Sequence, residues 1–445
     1  MDQKIELQRY RDDRARLRTL SYASRALPIS FALLASYLLP PFDASAKADS
    51  FTASWADALV RWDVFHFAQI ARAGYQYEHQ WAFFPGLPWL LRATALSEKE
   101  YLLGGALLVL LCDTTLVIYD LSMLVLGNRD AALLSAMLSL LPSSPATLRL
   151  VPYAEPFFTY LSYKGMLFCA RKQWLYAAMS FAVAGSFRSN GITLAGFLIW
   201  GMLIAPLLEG RPRTIRVSTI FRCSIYVALV FAPFAYHQYT GYQAFCSSLT
   251  NAPSSSTDTS PALTTHPEWC TNTIPLIYSH VQSTYWNVGF LRYWTLQQLP
   301  NFLIAAPPLA AILSFAWWHL RRVVPGYVAS TPPPVARDAS SSPATATSAL
   351  TSTSSLPTTP PSLAPFLSPA LTPHVLHATF MALVLIFASH VQIVLRFAAA
   401  MPATYWAGAW LLVQYPRTTG QLWVGWSVVW GALSVLLWVA FLPPA

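Results

Sequence analysis

Charged side chains are scarce in this chain. Asp, Glu, Lys and Arg together make up 11% of its 445 residues, about half the share of an ordinary soluble protein. That scarcity excludes a large water-facing globule. Cysteine is also scarce, with five in all, so a disulfide framework does not define the fold. There is no glycine-rich phosphate loop, no dinucleotide fingerprint and no Cys/His/Asp/Glu cluster at metal-ligand spacing. Nucleotide-driven chemistry and a resident metal or cofactor are therefore not expected, and the scattered histidines read as structural. No internal repeat is evident, which argues against a transporter built of repeated halves.

What is abundant is apolar surface. Hydrophobic residues account for 55% and aromatic residues for 14% of the chain. Many windows of roughly 20 residues carry almost no charge, which suits a hydrocarbon core about 30 Å thick. The expected class is an all-α polytopic membrane protein. Apolar segments run at roughly 26–42, 101–126, 131–150, 153–170, 174–187, 190–207, 219–236, 300–320, 374–394, 397–413 and 421–442. The first follows a basic N-terminus and ends at Pro40-Pro41 without a small-residue cleavage site, so it reads as a retained helix.

The formal net charge of +9 is unevenly placed. Lys4, Arg9, Arg11, Arg14, Arg16, Arg18 and Arg25 crowd the N-terminus, Arg211, Arg213 and Arg216 form a second cluster, and Arg321-Arg322 a third. These read as topology determinants facing the cytoplasm; nothing in the chain supports nucleic-acid binding. Starting from a cytoplasmic N-terminus and alternating sides, Asn128-Arg129, Arg171-Lys172, Arg211 to Arg216, Arg321-Arg322 and Arg417 all fall on the cytoplasmic side. The expected organisation is a basic cytoplasmic tail over 1–25, a transmembrane core over 26–327 with luminal loops at 43–100 and 237–299, an insert over 328–373, and C-terminal membrane helices over 374–445. The insert is dominated by Ser, Thr, Pro and Ala, too few large side chains to offset ordering entropy, and is expected to be disordered. Cys246 and Cys270 share a polar loop, and a disulfide between them is open.

The first luminal loop carries the densest chemistry, RWDVFHFAQIARAGYQYEHQWAFFPGLP over Arg61–Pro88. Asp63 beside Trp62 has two readings: a base or substrate contact for glycosyl transfer, or a cap accepting backbone N–H groups of the following stretch. Glu78 and His79 read either as acceptor-sugar ligands or as solvated loop residues. AFFPGLP reads as a rigid apolar turn seated on the membrane. Glu155 follows an apolar segment, where an acid is expensive unless paired or in a wet cavity. It is either a second catalytic or acceptor-binding acid, or an ion pair with Arg149. Arg188 and Arg396 interrupt apolar surroundings, and a lipid phosphate is the natural partner for one of them. Asn190-Gly191 is expected to break a helix and leave backbone N–H groups free. The stretch holding Asn272, Trp286, Asn287, Arg292 and Gln298 mixes amides with flat rings. It suits either sugar hydroxyls or an interfacial aromatic belt. Under the charge-derived topology Asp63, Glu155, Arg188, Asn287 and Arg396 all lie at the luminal face.

These motifs, with YAEPFF, FRSNG, CTN, YWNVGFLRYWTLQQLPNF, HVQIVLRF and PATYW in order, resemble the GPI mannosyltransferase 2 family. The resemblance spans nearly the whole chain outside the N-terminal tail and the insert. It implies a GT-C type multispanning fold in the endoplasmic reticulum membrane with a luminal active site. It further implies dolichyl-phosphate-mannose as donor, addition of the second, α-1,6-linked mannose to the mannosyl-GPI intermediate, and a small membrane partner subunit. The acid of the first luminal loop, here Asp63, would be the base. Ser143-Ser144-Pro145-Ala146-Thr147 and Ala154 depart from the Ser-rich and Tyr-Ser-Glu runs expected of the family, while Glu155 is kept. A lipid or sugar flippase and a non-catalytic subunit are the rival readings.

Overall fold

The computed structural model describes residues 2–40, 42, 60–94, 101–209, 215–247, 267–329 and 361–442. Every regular element among them is helical, with short 3-10 and π turns and no strand. Six helices are long and apolar enough to cross a membrane: Gly104–Leu126, Ser189–Leu208, Val217–Ser247, Leu296–Gly326, Pro369–Phe387 and Thr419–Val439. Trp174–Gly185 and Val391–Ala400 are shorter apolar helices. This is the build of a polytopic membrane protein, with fewer long helices than the apolar segments suggest.

The breaks have local causes. Gly127 takes the left-handed conformation (φ 63°) that closes one helix, and the Asn128 side chain accepts from Ala131 N–H to open the next. The apolar segment 131–150 is not one span. Its helix Arg129–Leu138 stops before Pro142 and Pro145, and a π turn follows at Ala146–Leu150. Helices Ala154–Ala170 and Trp174–Gly185 form a tight hairpin, and Pro402–Gln414 packs between Arg129–Leu138, Leu299–Ala329 and Thr419–Val439.

Two expectations for the termini of the core change. The basic N-terminus is the first half of one helix, Asp2–Leu38, rather than a separate tail. Arg14 and Tyr10 bond Asp120, and Arg129 grips Asp13 with two nitrogens at 2.7 Å each. Such forked pairs are geometrically specific, so Asp13, together with Tyr10 and Arg14, docks this segment against the core. At the insert, residues 330–360 lie outside the described residues, as do Arg211 and Arg213. Its C-terminal end is packed, however. Leu363, Phe366 and Leu371 are buried, and His319 bonds the Phe366 carbonyl (2.9 Å) and the Thr372 hydroxyl (3.2 Å). Burying a phenylalanine contributes about 1.5–3 kcal/mol, enough to anchor this stretch.

The first loop is folded rather than looped. Helix Asp63–Ala73, a turn at Glu78–Ala82 and helix Gly86–Thr94 follow one another. AFFPGLP is therefore only partly a turn, since helix starts within it at Gly86, and Phe84 and Leu87 are buried in protein rather than seated on the bilayer. The Gly86 N–H donates to the Ser186 carbonyl at 2.7 Å, and a Cβ at 86 would lie 2.8 Å from that same oxygen. Only glycine permits this approach, and it fastens the first loop directly before Arg188. Cys246 and Cys270 are disulfide-bonded with Cα atoms 5.7 Å apart, whereas Cys112, Cys169 and Cys223 are free. Peptide mapping without reduction should recover the 246–270 linkage and alkylate the other three. Alkylation of both Cys246 and Cys270 would contradict the pairing and the oxidising side it implies.

Candidate active site

Helix Asp63–Ala73 buries Val64, Phe67, Ile70 and Ala71, a stripe at helical spacing that faces the core. Asp63 and His66 lie beside that stripe and share an edge of the helix one turn apart. Trp62, just before it, has φ 53° and stacks on Phe441 at 5.2 Å. A non-glycine residue at such a φ costs on the order of 1–3 kcal/mol and is held by its surroundings. Asp63 is the first helical residue, not the cap; Trp62 occupies that position and no side-chain cap bond is made. The capping reading of Asp63 therefore fails. Its carboxylate instead receives Arg396 Nη1 at 3.0 Å, and the same nitrogen donates to the Tyr153 hydroxyl at 3.0 Å. The Asp63 side chain keeps 35% of its surface exposed, so a substrate can reach it.

Burial works to raise the Asp63 carboxyl, but the charge of Arg396 and hydrogen bonding from Tyr153 and Arg396 outweigh it and hold it below the usual carboxylate range. Burial, opposed by the charge of Asp63 and aided by His79, holds His66 below the ordinary imidazole range.

Arg396 sits in a broken helix, Val391–Ala400, made of short turns around Val394–Phe397. A broken helix leaves carbonyls unsatisfied, and side chains take them up. Ser143 donates to the Leu395 carbonyl, Thr404 to that of Ala398 and Tyr163 to that of Ala399. These bonds fix the arginine from both sides.

A second ion pair lies beside the first. Glu155, buried in the first turn of helix Ala154–Ala170, is bonded by Arg188, whose Nε donates to Asn190 Oδ1 at 3.3 Å. The Glu155–Arg149 pairing does not form. Arg149 donates to the Ser24 hydroxyl (2.6 Å) and the Ser139 carbonyl (2.7 Å). Nor does Gly191 leave its N–H free, since it donates to the Arg188 carbonyl in a 3-10 turn. A Cβ there would meet Gly185 Cα at 2.4 Å, so the break serves close packing. Glu155 Oε2, Asn190 Nδ2 and Arg396 Nε are buried without a hydrogen-bond partner. Such groups are uncommon, and here three converge on the two ion pairs.

Above the acids lies a track of rings. His66 stacks on Phe83 (4.6 Å) and meets His79 edge-on (5.7 Å), and Phe83 meets Trp286 (6.1 Å). Glu78 is partly buried and engaged within the protein. It accepts from Trp269 Nε1 (2.9 Å) and the Tyr285 hydroxyl (3.2 Å) and lies 3.4 Å from His280, so it ties the first polar loop to the stretch over 267–285. Asn272 lines a separate cavity of about 270 Å³ with Glu268, Ser279 and His280. Asn287 (φ 51°) and Arg292 are exposed, and Gln298 accepts from Asn301 at 2.7 Å. None of these three bonds to Asp63, Glu155, Arg188 or Arg396 among the described residues, and no group of three His, Cys, Asp or Glu there is placed to hold a metal. Tyr153 and His66 belong to the cluster without having been singled out. The signal for each was its spacing, Tyr153 two residues before Glu155 and His66 one helical turn after Asp63.

The sequence profile described as "Mannosyltransferase (PIG-V)" matches residues 17–445. The chain belongs to the PIG-V mannosyltransferase family. GPI mannosyltransferase 2 of Cryptococcus neoformans is 33% identical over 95% of this chain and 96% of its own length. The protein of that name from Yarrowia lipolytica is 30% identical over 87% of each chain. GPI alpha-1,6-mannosyltransferase 2 of Homo sapiens is 32% identical over 63% of this chain and 61% of its own. No solved structure matches. Family membership carries glycosyltransferase activity in GPI-anchor biosynthesis, and a polytopic build fits this PIG-V chain.

Two outcomes test the site as built. Glu78→Ala strips a buried indole N–H of its acceptor and should cost about 1–3 kcal/mol, read as a lowered melting temperature in detergent; Glu268→Ala, on the exposed cavity rim, should not. For the ion pair, a depressed carboxyl contributes stability above its unfolded pKa, near 4, and loses it as pH falls through the lower folded value. The difference in melting temperature between wild type and Asp63→Asn should therefore stay constant from about pH 8 to 5 and shrink only below about 4. A difference that vanishes at neutral pH would contradict the assigned pairing.

Proposed function

We propose that this chain is a GT-C type inverting transferase that adds the second, α-1,6-linked mannose to the GPI precursor. The donor is dolichyl-phosphate-mannose, and the reaction takes place on the luminal side of the endoplasmic reticulum membrane. The observation that carries this reading is the partly open Asp63 carboxylate held by Arg396, with a second acid–arginine pair at its side. The names borne by the relatives of highest coverage agree with it.

Glycosyl transfer needs a base, a stabilised leaving group and a dry, flat surface for the sugar. Asp63 takes the proton from the acceptor 6-hydroxyl as its oxygen attacks the mannose anomeric carbon. The bond from that carbon to the phosphate oxygen breaks, and dolichyl phosphate leaves with the electron pair. The phosphate is already a good leaving group, so no second acid must protonate it. Attack opposite a β-linked phosphate gives the α product in one inversion. Arg396, held beside the base, is the cation that reaches across to the phosphate as its charge develops, and a preset cation there stabilises the transition state. Arg188 and Glu155 serve a second polar contact with the sugars, and the His66, Phe83 and Trp286 rings offer faces for them. A small membrane subunit completes the proposal.

Microsomes carrying the chain and labelled dolichyl-phosphate-mannose should yield a GPI intermediate longer by one mannose. Cells depleted of the protein should accumulate the one-mannose species. Asp63→Asn should reduce transfer by at least about 10²-fold at unchanged protein level. Wild-type transfer by that variant would overturn the assignment of the base. Absence of any lengthened glycolipid would favour a flippase or a non-catalytic subunit instead.

A further inference from the structure

The cavity lined by Glu268, Trp269, Asn272, Ser279, His280 and Ser283 has no part in the reaction just described. Its walls are two short elements, the turn Glu268–Thr271 and the helix Ile277–Thr284. Both are firmly held. The Cys246–Cys270 disulfide ties the turn to the end of the helix Val217–Ser247. Trp81, Trp269, Ile277 and Val281 form a small core of their own, each at most 3% exposed. With Ile277 and Val281 buried, helical spacing leaves Ser279, His280 and Ser283 for the cavity side.

The chemistry of the lining selects the ligand. No arginine or lysine lines the cavity, and its one carboxylate, Glu268, repels a phosphate. The side chains of Glu268, Asn272 and Ser279 form no hydrogen bond among the described residues, while His280 is steadied by Glu78 at 3.4 Å. A carboxylate, an amide and a hydroxyl supply both donors and acceptors, and Ile274 and Leu276 stand beside them. That mixture suits a sugar ring, which carries hydroxyls at its edge and C–H groups on its faces. The volume of about 270 Å³ falls below the range of about 300–1,000 Å³ typical of pockets for drug-sized ligands. One ring fits such a space, and a polyprenyl chain suits neither its size nor its polarity.

The cavity also lies on the track of rings that leads to the base. His280 meets Tyr285 (6.4 Å), Tyr285 meets His79 (5.9 Å) and His79 meets His66 (5.7 Å), one helical turn from Asp63. The donor mannose must stand at Asp63 itself, so a ring held three contacts away belongs to the other substrate. We infer that the cavity is a subsite for the acceptor glycan, taking an unphosphorylated sugar ring that lies inward of the mannose whose hydroxyl meets Asp63. This rests on the transferase reading above.

Transfer by the full chain in microsomes, with labelled dolichyl-phosphate-mannose and the one-mannose GPI intermediate varied in turn, tests it. Asn272→Ala and Ser279→Ala each remove one hydrogen-bonding group from an exposed position, so protein level and melting temperature should stay as in wild type. Each should raise the acceptor KM about 2–10-fold, the loss expected for one hydrogen bond, and the two together by about the product. Donor KM and kcat should move by less than about twofold, since the lost contact is remote from the reacting bond. Ser279→Trp fills the cavity and should raise the acceptor KM at least about tenfold, as a clash built against the ligand. A wild-type acceptor KM in all of these variants would overturn the inference, as would a donor KM or kcat that changes as much as the acceptor KM. If wild-type microsomes lengthen no glycolipid, the transferase reading falls and the subsite with it. If they do, and the cavity variants keep the wild-type acceptor KM, only the subsite falls.

Discussion

The pairing of Asp63 with Arg396 joins residues 333 positions apart, and the surrounding architecture is organised by the need to make and keep it. Neither charge is tolerable alone where it sits, because a partly buried ion without a partner carries a desolvation penalty of several kcal/mol. The acid comes from a short helix in the stretch over 61–94. The arginine comes from a helix broken into single turns near the C-terminus. To bring them within 3.0 Å, the chain fixes each backbone independently. Gly86 fastens the first stretch to Ser186, while Ser143, Tyr163 and Thr404 clamp the carbonyls around Arg396.

The second pair, Glu155 with Arg188, repeats the logic at shorter range. Glu155 opens one helix of the hairpin and Arg188 follows the end of the other, and the glycine contact between 185 and 191 lets the backbone turn tightly enough for Arg188 to reach back. Both pairs leave hydrogen-bonding atoms unused inside the protein. A purely structural salt bridge is most stable when every such atom is satisfied, so the surplus fits a site that exchanges its internal partners for substrate oxygens. The PIG-V family assignment and this surplus point the same way, toward polar groups waiting for a hydroxylated, phosphorylated ligand.

Much of this was legible in the sequence. An acid in the first aromatic loop, and arginines stranded between apolar segments, are costly placements that announce a partner, and Asp63, Glu155, Arg188 and Arg396 do converge. What sequence could not supply was the pairing itself. Sequence assigns a phosphate to one of Arg188 and Arg396, and in the structure each holds a carboxylate, Glu155 pairing with Arg188 rather than with the nearer Arg149. Residue spacing along the chain carries no information about which of two arginines a fold delivers. Glu78 misled for a related reason. Its three partners, Trp269, His280 and Tyr285, lie some two hundred residues on, so an anchor looked like a ligand. The packed end of the insert was missed because composition was averaged over a window in which Leu363, Phe366 and Leu371 are few but decisive.

The account stands on the proximity of two side chains, and a bifunctional thiol reagent measures that directly. In a chain carrying Asp63→Cys and Arg396→Cys, with a protease site engineered between them, a short cross-linker should leave the two fragments joined after cleavage, and a membrane-impermeant thiol label should spare both cysteines in sealed microsomes and reach both once the membrane is permeabilised. Fragments that separate, with the two cysteines labelled from opposite sides, would contradict the shared site and the chemistry built on it.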